Sequence, residues 1–89
     1  MTAENVVEVG NITHIFSKIN VAVVELKAPL VVGDMIAIKG PITDFEQTVD
    51  SMEIEHKQIP IAQTGQSIGL KVSGRVREND VVYRVKQTT

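Results

Sequence analysis

Apolar and polar side chains alternate with a period of two through almost the whole 89-residue chain. The pattern is clearest in Val21–Leu26, Met35–Lys39 and Ser67–Val72. Successive side chains of a β-strand point to opposite faces, so this alternation is typical of half-buried strands. No stretch keeps the 3.6-residue stripe of an amphipathic helix. The chain is therefore predicted to be all-β.

Six strands are predicted from this alternation and from the turn residues between them. The inward-facing set changes parity at Gly10-Asn11, from Val7 and Val9 to Ile12, His14 and Phe16. It changes again at Asp50-Ser51, and each change indicates a bulge or bend. Gly33-Asp34, Thr64–Gln66 and Asn79-Asp80 have the composition of tight turns. Short strands with frequent turns favour a small barrel or sandwich. The predicted strands are Val6–Phe16, Val21–Lys27, Met35–Lys39, Phe45–Lys57, Ser67–Val72 and Val81–Lys86.

Length and composition indicate one domain over residues 1–89, with a core from about residue 6 to 86 and loose ends at 1–5 and 87–89. The chain has no cysteine, which excludes disulfides, thiolate zinc sites and cysteine nucleophiles. No apolar run approaches the roughly 20 residues that span a bilayer. The first residues lack the basic and apolar segments of a signal peptide, so a cytoplasmic protein with no membrane contact is expected.

The sequence contains few candidates for catalysis or metal binding. His14 and His56 are the only histidines, and they fall on different predicted segments without ligand spacing. Glu53 and Glu55 share one face of a predicted strand, where they are either an acid/base pair or a solvated face beside Lys57. No G-x-S-x-G nucleophile elbow is present. We therefore expect no metal, no cofactor and no catalytic residues, and enzyme activity is not predicted.

Charge is distributed unevenly along the chain. Residues 1–50 carry three lysines against seven acidic residues, whereas residues 51–89 carry six basic residues against four acidic ones. The second half could therefore present a basic patch to RNA phosphates, or could simply carry solvated charges. Tyr83 is the only aromatic residue in that half, although single-stranded RNA sites usually include stacking aromatics.

Several motifs occur in an order that carries a family resemblance. They contain V-G-D-M-I-A-I-K-G, then T-V-D-S-M-E-I, then A-Q-T-G-Q-S-I-G-L, with matching segments on either side. In order and spacing they resemble the second domain of translational GTPases such as elongation factor Tu. Phe45–Lys57 looks most like small stand-alone prokaryotic versions described as translation-factor-like. The matching stretches are Val9–Thr13, Val32–Gly40, Thr48–Ile54, Ala62–Leu70 and Val76–Val82.

The resemblance implies a six-stranded closed Greek-key barrel that binds tRNA, ribosomal RNA or a translation factor. In elongation factor Tu, part of the contact with the aminoacylated end of tRNA lies in the segment that matches Glu53–Lys57. The chain has no G-x-x-x-x-G-K-S/T phosphate loop, so neither GTPase activity nor nucleotide binding is expected. The candidate binding residues are Glu53, His56, Lys57, Lys71, Arg75 and Arg77.

An accessory, protein-binding role is the alternative prediction. A similar barrel closes the collagenase-like peptidases of prokaryotes, and this chain could act as such a module on a protein partner. The acidic first half and the apolar segment Leu30–Val32 would then form its docking surface. A third hypothesis is chemistry at an oligomer interface.

Overall fold

The computed structural model describes residues 6–85, and nearly all regular structure there consists of strands. The one helical element in this range is a 3₁₀ turn, Ser17–Ile19. The all-β prediction is confirmed. The predicted loose ends and Lys86 lie outside the described residues. The strands are β1 (Val6–Phe16), β2 (Val21–Leu26), β3 (Leu30–Val31), β4 (Met35–Lys39), β5 (Asp44–Thr48), β6 (Met52–Ile54), β7 (Lys57–Ile59), β8 (Ile61–Ala62), β9 (Ser67–Lys71) and β10 (Val81–Val85).

Eight strands form one antiparallel sheet, and β3 and β8 pair separately as a short ribbon. The order in the large sheet is β5-β4-β10-β1-β2-β9-β6-β7. β1 lies near the centre: its first half pairs with β10 and its second half with β2. The hydrogen-bonded ladder ends at β5 on one side and at β7 on the other. The structure therefore confirms a sheet-rich domain, but not the closed six-stranded Greek-key barrel.

The predicted fourth strand, Phe45–Lys57, is wrong as one continuous strand. It covers most of β5, all of β6 and only the first residue of β7, with interruptions after Thr48 and after Ile54. The first interruption lies at the predicted bend, where Val49 N–H donates to Asp34 O at 2.8 Å. The second is a two-residue turn, because Glu55 and His56 have φ angles of 52° and 67°. Positive φ at both central residues is typical of a tight hairpin, which reverses the chain.

The core consists mainly of aliphatic side chains from the inward face of the alternating pattern. The predicted inward-facing residues of β2, β4 and β9 are buried, and Val49 and Met52 are buried as well. In β1 the prediction holds for Val9 and Ile12 but fails beyond them. The buried members of the core are Val9, Ile12, Ala22, Val24, Leu26, Leu30, Ile36, Ile38, Val49, Met52, Ala62, Ile68, Leu70, Val72, Val76 and Val82.

His14 and Phe16 were predicted to face inward, but both are exposed. A register shift between Ile12 and His14 in the β1–β2 ladder causes the difference. An extra residue at a bulge moves every later side chain to the opposite face. Ile15 consequently takes the inward position and packs against the core. β1 thus contains two bulges, one in each of its two ladders.

The other bulge in β1 lies next to the predicted Gly10-Asn11 position, between Glu8 and Gly10 in the β1–β10 ladder. A Cβ atom at Gly10 would collide with the carbonyl oxygen of Glu25 on β2. A backbone carbonyl in a ladder has little freedom to move, so Gly10 is required by the close approach of β2. Within residues 6–85, no helix has the length and apolar character needed to cross a membrane.

We predict that Gly10→Ala lowers the free energy of unfolding by about 1–3 kcal/mol, because the added methyl group overpacks a rigid ladder. Urea denaturation of both proteins measures this difference. The control is Glu46→Ala on the exposed side of β5, which should change stability by no more than about 0.5 kcal/mol. Equal midpoints for Gly10→Ala and the unmodified protein would show that the β1–β2 contact is looser than described.

Candidate functional site

The six predicted binding residues lie in two separate places along β9. Glu53, His56 and Lys57 belong to the β6–β7 hairpin. Glu53 lies opposite Gly69 in the antiparallel β6–β9 pair, so the hairpin runs towards the start of β9. Lys71 lies at the other end of that strand, and Arg75 and Arg77 follow it in the chain. The structure therefore does not bring the six residues into one site.

The hairpin offers only exposed groups at its tip. His56 occupies the second position of the turn and is exposed, as is Lys57. Glu53 lies opposite Gln58 within the hairpin. Because Glu55 lies in the turn, it does not share a strand face with Glu53, and the predicted alternation of these two carboxylates is wrong. The tip consequently provides no paired acids on one surface.

Arg75 and Arg77 lie on one wall of a surface groove. The opposite wall is formed by the end of β1 and the following 3₁₀ turn, which contribute Ile15 and Ser17 to the lining. Val76 lies between the two arginines and is buried, whereas both arginine side chains are exposed. The inner part of the groove has a volume of about 340 Å³. The arginines are therefore presented to solvent by a segment whose middle residue is anchored in the core.

The amide side chain of Gln47 on β5 fixes the start of this wall. Its Oε1 accepts hydrogen bonds from Ser73 N–H at 2.7 Å and from Ser73 Oγ at 3.1 Å. Its Nε2 donates to the carbonyl oxygen of Lys71 at 2.9 Å. One side chain thus satisfies backbone groups on both sides of Val72. The ring of Phe45, two residues before Gln47, also packs closely against Gly74.

The buried carboxylate of Asp80 fixes the other end of the wall. Asp80 is 1% exposed, and its Oδ2 accepts a hydrogen bond from Arg77 N–H at 2.8 Å. Its backbone carbonyl accepts from Ile12 N–H at 2.9 Å, and Asn79 N–H donates to Ile12 O at 2.7 Å. The second carboxylate oxygen, Oδ1, has no hydrogen-bond partner within residues 6–85. The segment that carries the arginines is therefore held at one end by Gln47 from β5 and at the other by Asp80, which directly precedes β10.

Other charged groups surround the groove. Lys71 Nζ donates to Ile19 O at 3.3 Å, which places this ammonium group beside the 3₁₀ turn. His14 Nδ1 lies 3.8 Å from Glu78 Oε2 at the outer end, and the His14 ring makes an edge contact with Phe16. The part of the chain that the structure describes contains no group of three or more acidic or histidine residues suited to a metal ion.

A second exposed surface lies on the β3–β8 ribbon. Val31 and Ile61 are directly opposite each other across the two strands and are 38% and 51% exposed. Val32 follows at 40% exposure and lines an adjoining cleft with Gln58–Pro60. Leu30, which was predicted to belong to this docking surface, is instead fully buried in the core. We call Val31, Val32 and Ile61 the ribbon patch.

Comparison with known proteins relates the chain to peptidases. No protein-family model matches it. The chain is 41% identical over 92% of its length to an uncharacterized protease of Methanocaldococcus jannaschii, and 36% identical over 85% of its length to a collagenase of Porphyromonas gingivalis. These matches cover 20% and 22% of the two relatives, so the chain spans about a fifth of their length.

The fold itself is found in a solved domain. Two crystal structures of the C-terminal domain of a Geobacillus thermoleovorans protein named as a U32 peptidase superimpose with a TM-score of 0.81, at 19% identity. The first match covers 85% of this chain and 96% of that domain. The class of protein defined here is a small β domain like the C-terminal domain of that peptidase. The relatives favour the accessory-barrel alternative, and the elongation-factor assignment is not confirmed.

We predict that Gln47→Ala loosens the segment that carries the arginines. Loss of the amide leaves Ser73 N–H and Lys71 C=O without these partners, so stability should fall by about 0.5–1.5 kcal/mol. Amide hydrogen exchange at Ser73 should accelerate while exchange in β4 stays slow. Gln58→Ala, which removes an exposed glutamine from the hairpin, is the matched control. Unchanged exchange at Ser73 would contradict the proposed clamp.

Proposed function

We propose that this chain is a non-catalytic accessory domain that packs against a peptidase domain, in the same chain or in a separate one. The observation that carries the proposal is the pairing of two similarities. The chain resembles proteases over almost its whole length, yet it spans only a fifth of theirs. Its fold matches a domain that forms the C-terminal part of such a protein. The larger remainder of the relatives would then carry the catalytic residues.

The ribbon patch is the proposed contact with the peptidase. Val31 and Ile61 form a cross-strand apolar pair that is partly open to solvent. Val32 extends the pair towards a cleft of about 300 Å³ lined by Asp50, Met52 and Pro60. Exposed apolar side chains that adjoin one another mark interaction surfaces more often than isolated ones do. Covering them with a peptidase domain would remove this apolar surface from water.

We also propose that the sheet closes on itself to form a barrel. β5 pairs with β4, β6 pairs with β9, and only Val49–Ser51 separate β5 from β6. If residues 44–54 act as one bent strand, they join the two sides of the sheet and complete a ring of six strands. The Gln47 bridge to Ser73 and Lys71 supports this arrangement. Nuclear Overhauser contacts between Ser51 and Lys71 would test it.

The proposed docking can be tested by grafting. The 78-residue matching segment of the Porphyromonas gingivalis collagenase is replaced by the corresponding part of this chain, and collagen cleavage is measured. We expect the graft to cleave collagen at a rate well above that of a deletion variant. Ile61→Asp in the graft should lower the rate by about tenfold or more, because a carboxylate would be buried in an apolar contact.

Ile42→Asp is the matched control for this experiment. Ile42 is also an exposed isoleucine, at 70%, but it lies beyond the far end of β4 from the ribbon. The graft with Ile42→Asp should cleave collagen at a rate within about twofold of that of the unsubstituted graft. A graft that behaves like the deletion variant would contradict the accessory role. An active graft with equal losses from the two substitutions would contradict the ribbon patch as its contact. Collagen cleavage by the isolated chain would contradict the non-catalytic assignment.

A further inference from the structure

The end of β1 has one edge that is not covered by another strand. Val6–Asn11 pair with β10 on this side, and Ile12 continues the contact through its hydrogen bonds to Asn79 and Asp80. No backbone hydrogen bond within residues 6–85 joins Thr13–Phe16 to the segment that follows β9. His14, Ile15 and Phe16 pair only with β2, on the other side, and Thr13 lies at the register shift of that ladder. Alternate peptide groups along them must face the uncovered edge.

The arginine wall lies across the groove from this edge. The groove residues include Ile15 on the strand side and Arg75 and Val76 on the opposite side. A wider outer part continues past Arg77 to Glu78. A space bounded by an unpaired strand edge and a second backbone segment has the form that peptides occupy when they add a strand to a sheet.

Charge around the groove selects the kind of peptide. Among residues 6–85, no carboxylate oxygen lies within 4.0 Å of a guanidinium nitrogen of Arg75 or Arg77, and both of these side chains are exposed. Lys71 adds a third cation beside the 3₁₀ turn. The acidic residue on the groove is Glu78, which lies next to His14. The groove is therefore complementary to a negatively charged ligand.

We propose that this groove binds an extended acidic peptide segment of a partner protein, which adds as a strand to the Thr13–Phe16 edge. The exposed arginines lie two residues apart on either side of buried Val76. In an extended peptide, side chains at alternate positions share a face and are about 7 Å apart. Carboxylates spaced as Asp/Glu-x-Asp/Glu therefore match Arg75 and Arg77. The inference does not depend on the peptidase proposal.

A peptide fits these observations better than RNA does. The uncovered edge offers backbone N–H and C=O groups with the repeat of a β-strand, and only another polypeptide backbone satisfies them in series. RNA would use the arginines but would leave the strand edge unused, and it would need bases stacked on aromatic rings. Phe16, the aromatic residue at this end of β1, already makes its edge contact with His14.

The test is an NMR titration of the 89-residue chain with a seven-residue capped peptide that alternates glutamate and valine. We expect amide shifts in Thr13–Phe16 and in the Arg75–Arg77 segment, with an affinity that falls as salt is raised. The double variant Arg75→Gln/Arg77→Gln should weaken binding by about tenfold. Lys57→Gln on the hairpin, a matched loss of an exposed cation away from the groove, should change the dissociation constant by less than about twofold.

Two further ligands distinguish the proposed strand addition from binding by charge alone and from RNA binding. A peptide with the same charges but with N-methyl groups on alternate amides cannot form the added strand, and should bind at least about tenfold more weakly. A single-stranded RNA of equal charge should bind more weakly than the peptide. Equal affinity of the methylated peptide, shifts outside the groove, no shift at all, or tighter RNA binding at these residues would each overturn the proposal.

Discussion

The structure depends on β1 serving as the shared strand of two ladders. Its first half pairs with β10 and its second half with β2, and a bulge interrupts the register in each pairing. Bulges increase the local twist of a strand and redirect its side chains. At Gly10, beside the first bulge, β2 approaches so closely that no Cβ atom fits. The second bulge turns Ile15 towards the core and exposes His14 and Phe16.

The same arrangement creates the groove. The contact between β1 and β10 ends where Ile12 N–H donates to Asp80 O. The segment that precedes β10 in the chain carries Arg75 and Arg77, and it lies across the groove from the end of β1. Gln47 and Asp80 hold that segment at its two ends through hydrogen bonds to its backbone. Groups that are fixed in this way lose little further entropy when a ligand binds. The groove is thus a consequence of how the sheet is built, whereas the ribbon patch belongs to the separate β3–β8 pair.

The sequence was sufficient to predict the features that depend on a local repeat. The period of two identified the inward residues of β2, β4 and β9, and the parity change identified the bulge at Gly10. The prediction failed at Glu55-His56, because this pair lacks the glycine or asparagine that usually marks a turn with positive φ. The predicted strand was therefore continued through the turn to Lys57, the first residue of β7. The second bulge in β1 was missed because Ile12, His14 and Phe16 alternate regularly in sequence.

Only part of the candidate site could be predicted from local sequence patterns. Charge identified Arg75 and Arg77, but Gln47 acts on residues 24 and 26 positions away, a relation that no local pattern encodes. The uncovered edge depends on where two ladders end, which is a property of the assembled sheet. Leu30 was assigned to the surface because its pairing partner, Ala62, lies 32 positions along the chain.

The most direct test is amide hydrogen exchange along β1, which shows whether this strand has two partner strands in its first part and only one in its last part. Ile12 N–H donates to Asp80 O, so its exchange should be slow in the unliganded chain. Between Thr13 and Phe16, at least one amide faces the uncovered edge and should exchange much faster than Ile12. Protection as strong as that of Ile12 at every amide from Thr13 to Phe16 would contradict the open edge.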